Sequence, residues 1–277
     1  MTKRSGWRLT LPGLAWLLLW AGAPLLIVVA YSFMVRGIYG GVERGFTLEH
    51  YRQLLDPLYL GIILRTVVLS VVATIGCLLI GFPMAYVIVR SGRWRRLLLF
   101  LVVLPFWTSF LVRTYAMIFL LRDTGLVNST LIALRIIDAP LTLLYTPGAV
   151  LAGLIYGFLP FAILPIYASL EKLDPTLLEA AEMLGAPPGT RFWRITLPLA
   201  MPGVVAGGLL VLIPALGSFL TPDLLGGAKT TLLGNLVQNQ FTTGRDWPFG
   251  AAASILLLVG TFVALLWHLR SNNGAAA

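Results

Sequence analysis

The chain has 277 residues, of which 58% are apolar and 11% charged, and its mean hydropathy is +0.89. A water-soluble domain of this size carries roughly 25% charged residues, so the composition excludes an ordinary cytosolic enzyme, a disordered tail and a nucleic-acid-binding domain. The net charge is +9, and a single cysteine, Cys77, excludes both a disulfide scaffold and a multi-cysteine metal site. What remains is a polytopic membrane protein whose basic excess marks topology.

A helix needs about 20 apolar residues to cross ~30 Å of hydrocarbon. Six segments qualify in chain order, which predicts an all-α membrane protein with six transmembrane helices. The first is Leu9–Phe33. Lys3 and Arg4 precede it, and Ala21-Gly22-Ala23 resembles a signal-peptide cleavage site, but the apolar run continues through Pro24–Ala30. That is too long for a cleaved segment, so it reads as an uncleaved anchor. The others are Leu60–Val89, Leu97–Leu121, Pro147–Leu170, the short Gly/Pro-interrupted Pro202–Leu220, and Phe249–Leu269. The chain divides accordingly into an N-terminal helix with its external loop (1–59), a five-helix domain (60–270) holding a long loop at 171–202, and a short tail (271–277).

Eleven of the twenty basic residues fall on one side of these spans, among them Lys3, Arg4, Arg8, Arg90, the Arg93-Trp94-Arg95-Arg96 turn, Arg191, Arg194 and Arg270. Seven fall on the other. The positive-inside rule is firmest for short loops such as the Arg93–Arg96 turn, and it puts both termini in the cytoplasm. No Asp or Glu lies near the middle of a span, which argues against a proton pump or an ion-coupled carrier. Arg65 and Arg113 are the two intramembrane charges. Each either snorkels to the outer interface, lines an outward cavity or pins a carboxylate such as Asp123.

The loop Glu171–Met201 is the informative one. Asp174 followed by Pro175 is a helix start, an N-cap with proline at the first helical position. The helix runs through Leu184 and Gly185 ends it. Pro187-Pro188-Gly189 turns the chain, Thr190 can cap a second short helix over 191–195, and Pro198 and Pro202 break the chain before the next span. Leu177, Ala181 and Leu184 share one face of the first helix, while Glu179 and Glu182 occupy another. Interfacial helices favour Lys and Arg on their polar face. This one has only acids, which favours docking into a groove on a partner protein.

Glu179-Ala180-Ala181, then Gly185 after three residues, then Ile195-Thr196-Leu197-Pro198 after nine more, resembles the coupling-loop motif of ABC importer permeases. Leu104-Pro105-Phe106-Trp107-Thr108-Ser109, Arg113-Thr114-Tyr115-Ala116, Ser169–Asp174, Pro214–Gly217, Asp223–Lys229 and Arg245–Ala252 are similar to segments of spermidine/putrescine permeases. The similarity runs from about Leu9 to Leu269 and is greatest to the first of the two permease subunits in such transporters. The resemblance implies a MetI-like, type I architecture. It also implies that Glu179, Ala180, Ala181 and Gly185 contact a cytoplasmic ATP-binding subunit acting as a dimer, with Ile195, Leu197 and Pro198 closing the loop. Further implied partners are a second homologous permease, a periplasmic substrate-binding protein and the bilayer of a bacterial inner membrane. No cofactor and no nucleic acid are expected.

A polyamine needs carboxylates for its ammonium groups and aromatic faces for cation–π contact, worth ~0.5–2 kcal/mol each. Asp223 is the best placed acid for that pathway and Trp107, Phe110, Tyr115, Tyr156, Phe158 and Phe219 are its candidate aromatics, each with ordinary packing, interfacial or loop roles as the alternative. Gly203, Gly207, Gly208, Pro214 and Gly217 either pack the fifth span tightly or let it bend near Pro214–Gly217. Small-residue faces are also expected to serve pairing with the second permease, and Asp246 to pair locally with Arg245 or meet the binding protein. The sequon Asn128-Ser129-Thr130 would go unused in bacteria, and His50 and His268 are too far apart to suggest a metal site. The chain has no GxxxxGK[ST] phosphate loop, so ATP hydrolysis falls to a partner. Rival readings are the same type of permease for iron, phosphonate or thiamine, an ATP-independent carrier, and an integral-membrane enzyme.

Overall fold

The structure, a computed structural model, describes residues 12–273. Lys3, Arg4, Arg8 and the expected start of the first span at Leu9 lie outside the described residues, as does the side chain of Arg270. In chain order the elements are α1 (Pro12–Ser32), a two-stranded antiparallel hairpin of β1 (Val35–Arg36) and β2 (Val42–Glu43), α2 (Glu49–Leu54), α3 (Pro57–Arg90), α4 (Arg95–Val103), α5 (Phe110–Leu121) and α6 (Leu126–Ala133). There follow α7 (Pro147–Glu171), α8 (Pro175–Met183), α9 (Pro188–Leu216), α10 (Leu220–Gly226), α11 (Leu233–Phe241) and α12 (Trp247–Asn273).

Two compact units result. The first comprises the described residues 12–62 and 236–273. Within it α1 packs along α12, and α1 runs through Ala21–Ala23 without a break, widened there to a π-helical turn at Leu18–Gly22. The hairpin is tied to the entry of α12: Arg36 donates to the Gly244 carbonyl at 2.8 Å and lies 3.6 Å from Asp246. Asp246 therefore pairs with Arg36, not with its neighbour Arg245, and its carboxylate also accepts the Phe249 N–H at 3.1 Å. Sequence proximity misled here because Arg245 adopts a left-handed backbone (φ 46°), while its carbonyl accepts the Gly41 N–H.

The second unit, residues 63–235, is built around α7. Ala73 and Cys77 of α3 meet Leu154 and Phe158 of α7, Val211 and Ala215 of α9, and Leu225 of α10 in one cluster. Ile163, Ile166 and Tyr167 of α7 meet Ala85, Val102 and Ala200 in another. Helices α7 and α9 approach closely because Gly203 and Gly207 carry no Cβ. One added at Gly203 would sit 2.4 Å from the Pro165 carbonyl oxygen, and one at Gly207 would sit 3.0 Å from that of Ala162. These glycines therefore pack helices of the same chain.

Three expected features differ. The span Leu97–Leu121 is not one helix: α4 ends at Val103, a 3-10 turn covers Leu104–Trp107, and Thr108 and Ser109 are extended before α5. Pro105 has no N–H for a helical ladder, and the stretch long and apolar enough to cross a membrane is instead Phe110–Ala133, 24 residues over α5 and α6. The fifth span is longer than Pro202–Leu220, because Pro198 and Pro202 do not break it. Pro198 sits in the first turn of the α-helical stretch that begins at Leu197, directly after a π-helical turn at Phe192–Thr196. The span then stops at Leu216, and the chain turns at Gly217. Finally, Arg113 neither snorkels nor pins Asp123. It is 9% exposed, its guanidinium lies over the rings of Phe106 (5.6 Å) and Phe110 (5.4 Å), and Nε and Nη1 have no hydrogen-bond partner among the described residues. Arg65, by contrast, is exposed.

The Gly217 break is closed by α11. A Cβ on Gly234 would fall 2.5 Å from the Ser218 oxygen, the Asn235 amide donates to the Phe219 carbonyl at 2.8 Å, and Thr66 Oγ1 accepts the Leu233 N–H at 2.8 Å. Irregular backbone at membrane depth survives only where protein satisfies it. Gly203→Ala should lower the thermal midpoint of the detergent-solubilised protein, at a cost of about 1–3 kcal/mol from overpacking. Gly61→Ala, whose Cβ meets nothing within 4 Å, should leave it unchanged or raise it. Equal midpoints for wild type and Gly203→Ala would refute the close contact.

Candidate functional site

The loop between α7 and α9 is held in shape at both ends of α8. At its start the Asp174 carboxylate accepts the Thr176 N–H at 3.0 Å and Pro175 occupies the first helical position. The Thr176 backbone N–H, joined by its side chain, holds the Asp174 carboxyl below its ordinary value of 3.8. At its end the Ala186 N–H reaches the Ala181 carbonyl and the Gly185 N–H reaches that of Glu182, at 3.0 and 2.9 Å. That is a Schellman pair. Gly185 lies at φ 75°, and a Cβ there would meet nothing within 4 Å. Backbone conformation, not crowding, selects glycine at this position.

The return arm starts earlier than expected. Pro188 opens α9 behind Pro187, so Thr190 is inside the helix and caps nothing. Arg191, on the first turn of α9, contacts Glu182 of α8 at 2.5 Å and joins the two arms. Between α8 and the end of α3 lies a groove of about 430 Å³ lined by Tyr86, Arg90, Leu178, Glu179, Glu182 and Arg191, among others. Phe192 packs edge-on against Phe82 (5.6 Å) and Tyr86 (6.4 Å) of α3. Glu182 thus pairs with a basic residue of its own chain and Glu179 lines the same groove, while Met183 and Leu184 stand 90% and 88% exposed at the Schellman turn. Ala180 and Gly185 are exposed and Ala181 is half-buried. Ile195 and Leu197 are half-buried in the return arm, with Pro198 exposed.

Four of the pathway candidates are only partly brought together, while Phe110 and Phe158 stack on each other at 6.1 Å. Phe219 precedes α10 and its carbonyl accepts the Asp223 N–H at 3.0 Å, so these two share one short helix. Asp223 is exposed and has no ion-pair partner among the described residues. Tyr115 is on α5, which packs against α10. Trp107 is on the 3-10 turn, 74% exposed, with its ring edge-on to Phe100 at 5.5 Å. No ring contact or hydrogen bond among the described residues links Trp107 or Tyr115 to the α10 pair.

Reading the sequence missed the Arg191–Glu182 pair and the uncovered Met183. The first joins residues nine apart across a turn, outside any helical spacing rule. The second was available as an apolar residue beside a glycine C-cap. The sequon Asn128 is structural: its amide donates to the carbonyls of Arg122 and Leu141 and accepts the Leu141 N–H.

Residues 77–273 match the family of binding-protein-dependent transport system inner membrane components, and the chain belongs to that family. It is thus a multi-pass inner-membrane transport permease of the ABC importer class. It is similar to the spermidine/putrescine transport system permease protein PotB of Haemophilus influenzae, with 46% identity over 260 residues covering 94% of this chain and 91% of that one. To the protein of the same name from Escherichia coli it is 44% identical over 259 residues, covering 93% and 94%. Its fold matches a chain of a bacterial alginate ABC transporter, crystallised with an alginate pentasaccharide-bound periplasmic protein, at a TM-score of 0.71 and 20% identity over 94% of this chain and 91% of that one.

The Asp174 cap is pH-dependent. Its carboxyl is depressed in the folded loop, so the stability it contributes is present above 3.8 and is lost as pH falls through the lowered value. Amide exchange at Thr176, normalised to the same amide in Asp174→Asn, should therefore accelerate as pH drops below 3.8. A ratio that stays flat would remove Asp174 as the cap.

Proposed function

We propose that this chain is one of two related permease subunits in an ATP-driven polyamine importer, with both termini in the cytoplasm. An external binding protein delivers spermidine or putrescine, and a dimeric cytoplasmic ATPase docks on α8. The observation that carries the docking is the pair Met183–Leu184, uncovered at a turn whose backbone is fixed by the Schellman bonds and by Arg191. An apolar knob of this kind on a capped helix is suited to a partner's cleft. Glu179, Ala180, Ala181 and Gly185 form that contact, and Ile195, Leu197 and Pro198 pass its movement to α9.

Transmission follows from how the loop is fastened. Arg191 holds α8 to α9, and Phe192 wedges against Phe82 and Tyr86 of α3. A displacement of α8 therefore reaches α3 and α9 together, and α9 carries its close contact with α7. The polyamine cargo is supported by the identity to the PotB proteins across nearly the whole chain. Asp223, Phe219, Tyr115 and Trp107 are its proposed contacts, since a polycation is met by a carboxylate and by aromatic faces.

Gly185→Val places a β-branched residue at φ 75°, where L-residues are strained by about 1–2 kcal/mol. The transporter should assemble, while labelled spermidine taken up per ATP hydrolysed in proteoliposomes falls by about tenfold. Gly185→Asn, which tolerates this conformation, should retain most of it. Normal coupling in the valine variant would reject the docking assignment. Competition of spermidine uptake by putrescine, but not by iron, phosphonate or thiamine, is the expected cargo profile; competition by any of those three would reassign the cargo.

A further inference from the structure

The turn between α3 and α4 carries more positive charge than its own chain answers. Arg95 is satisfied: its Nε donates to the Tyr167 hydroxyl at 2.5 Å, its guanidinium lies 5.1 Å from that ring, and it pairs with Glu171. Arg93 and Arg96 are exposed and have no carboxylate partner among the described residues, and Arg93 lies 5.4 Å from the Trp94 ring. The three arginines, Tyr167 and Glu171 line a polar basin of about 680 Å³ at the head of α4.

A second cavity, of about 500 Å³ and almost wholly apolar in its lining, runs beneath the same two helices. Val87 of α3, Leu98, Leu101 and Val102 of α4, and Leu159 and Ile163 of α7 are among its walls. Ile163, Tyr167 and Glu171 are spaced by four along α7 and so share one stripe. At 1.5 Å per residue the polar end lies ~12 Å from Ile163. Trp94, Leu97 and Phe100 are exposed beside the basin, as expected where a helix enters the hydrocarbon. The two cavities thus lie end to end on α7, one cationic at the boundary and one apolar within the membrane.

We infer that this pair of cavities is a binding site for one anionic phospholipid, its phosphate held by Arg93 and Arg96 and its acyl chains lying in the groove between α3, α4 and α7. Basic pockets between membrane helices on the cytoplasmic side suit phosphate headgroups, and the charge of the basin selects the occupant. A partner's apolar helix would fill the groove but leave both guanidinium groups unanswered. Arg95 is the positioning residue: tied to Tyr167 and Glu171, it anchors the turn that presents its neighbours. The site rests on the membrane-permease reading and not on the polyamine cargo, and its test needs neither ATP nor cargo.

The test is native mass spectrometry of the purified full-length protein after equilibration with phosphatidylglycerol or phosphatidylcholine. Wild type should retain phosphatidylglycerol about tenfold over phosphatidylcholine, and Arg93→Gln/Arg96→Gln should lose that preference. The double lysine variant, which keeps both charges, should keep the preference and shows that folding is intact. Leu101→Trp, which fills the groove, should abolish retention of the lipid while leaving inorganic phosphate able to bind. If Leu101→Trp retains phosphatidylglycerol as wild type does, the site reads phosphate alone and the lipid assignment fails. Equal retention of the two lipids by wild type, or a preference that survives the double glutamine variant, would overturn the proposal.

Discussion

Gly203 and Gly207 bring the backbone of α9 against α7 at the carbonyls of Pro165 and Ala162, and the rest of residues 63–235 is arranged around that contact. In hydrocarbon no water-driven force separates apolar helices from lipid, so close packing must hold them together. Glycine permits the approach, and α7 becomes the post on which α3, α9 and α10 collect. The same helix ends at Glu171, which pairs with Arg95, and leads into the loop that carries α8. A fixed α7–α9 pair gives the loop two firm roots.

The loop itself was largely legible in the sequence, and the reason is that its ends are set by local chemistry. An N-cap acid before proline and a glycine after the last helical turn act through bonds two to five residues away, so Asp174 and Gly185 could be read in isolation. The spans were legible for a similar reason, since length and hydropathy are properties of a segment. What the sequence concealed depends on contacts from elsewhere. Pro105 sits in an apolar run that looks continuous, and only the structure shows that the helix stops there and resumes at Phe110. Pro198 and Pro202 look like breakers, but one lies in a first turn behind a π-helical turn and the other is accommodated within α9.

Arg113 is the clearest case of a charge whose setting could not be read from spacing. A lone arginine in a span was expected to seek water or a carboxylate, because an unpaired buried charge is costly. The structure lays it across two aromatic rings. Phe106 and Phe110 in turn contact Phe161 and Phe158, which contact each other, so the guanidinium caps a closed set of four phenylalanines.

That arrangement also divides the aromatic rings of this subunit into occupied and open ones. The ring faces at Phe106 and Phe110 already hold the protein's own cation, and a fixed positive charge beside them repels a second. A free cation would be disfavoured at this cluster and better met by aromatic rings left open by the fold. Trp107, Tyr115 and Phe219 are exposed, and Asp223, one helical turn from Phe219, has no ion-pair partner among the described residues. The absence of carboxylates near the middle of any span fits the same logic. A deep, unshielded acid would hold any cation tightly by the Coulomb attraction of low-dielectric surroundings, whereas cation–π contacts and a boundary carboxylate hold one weakly.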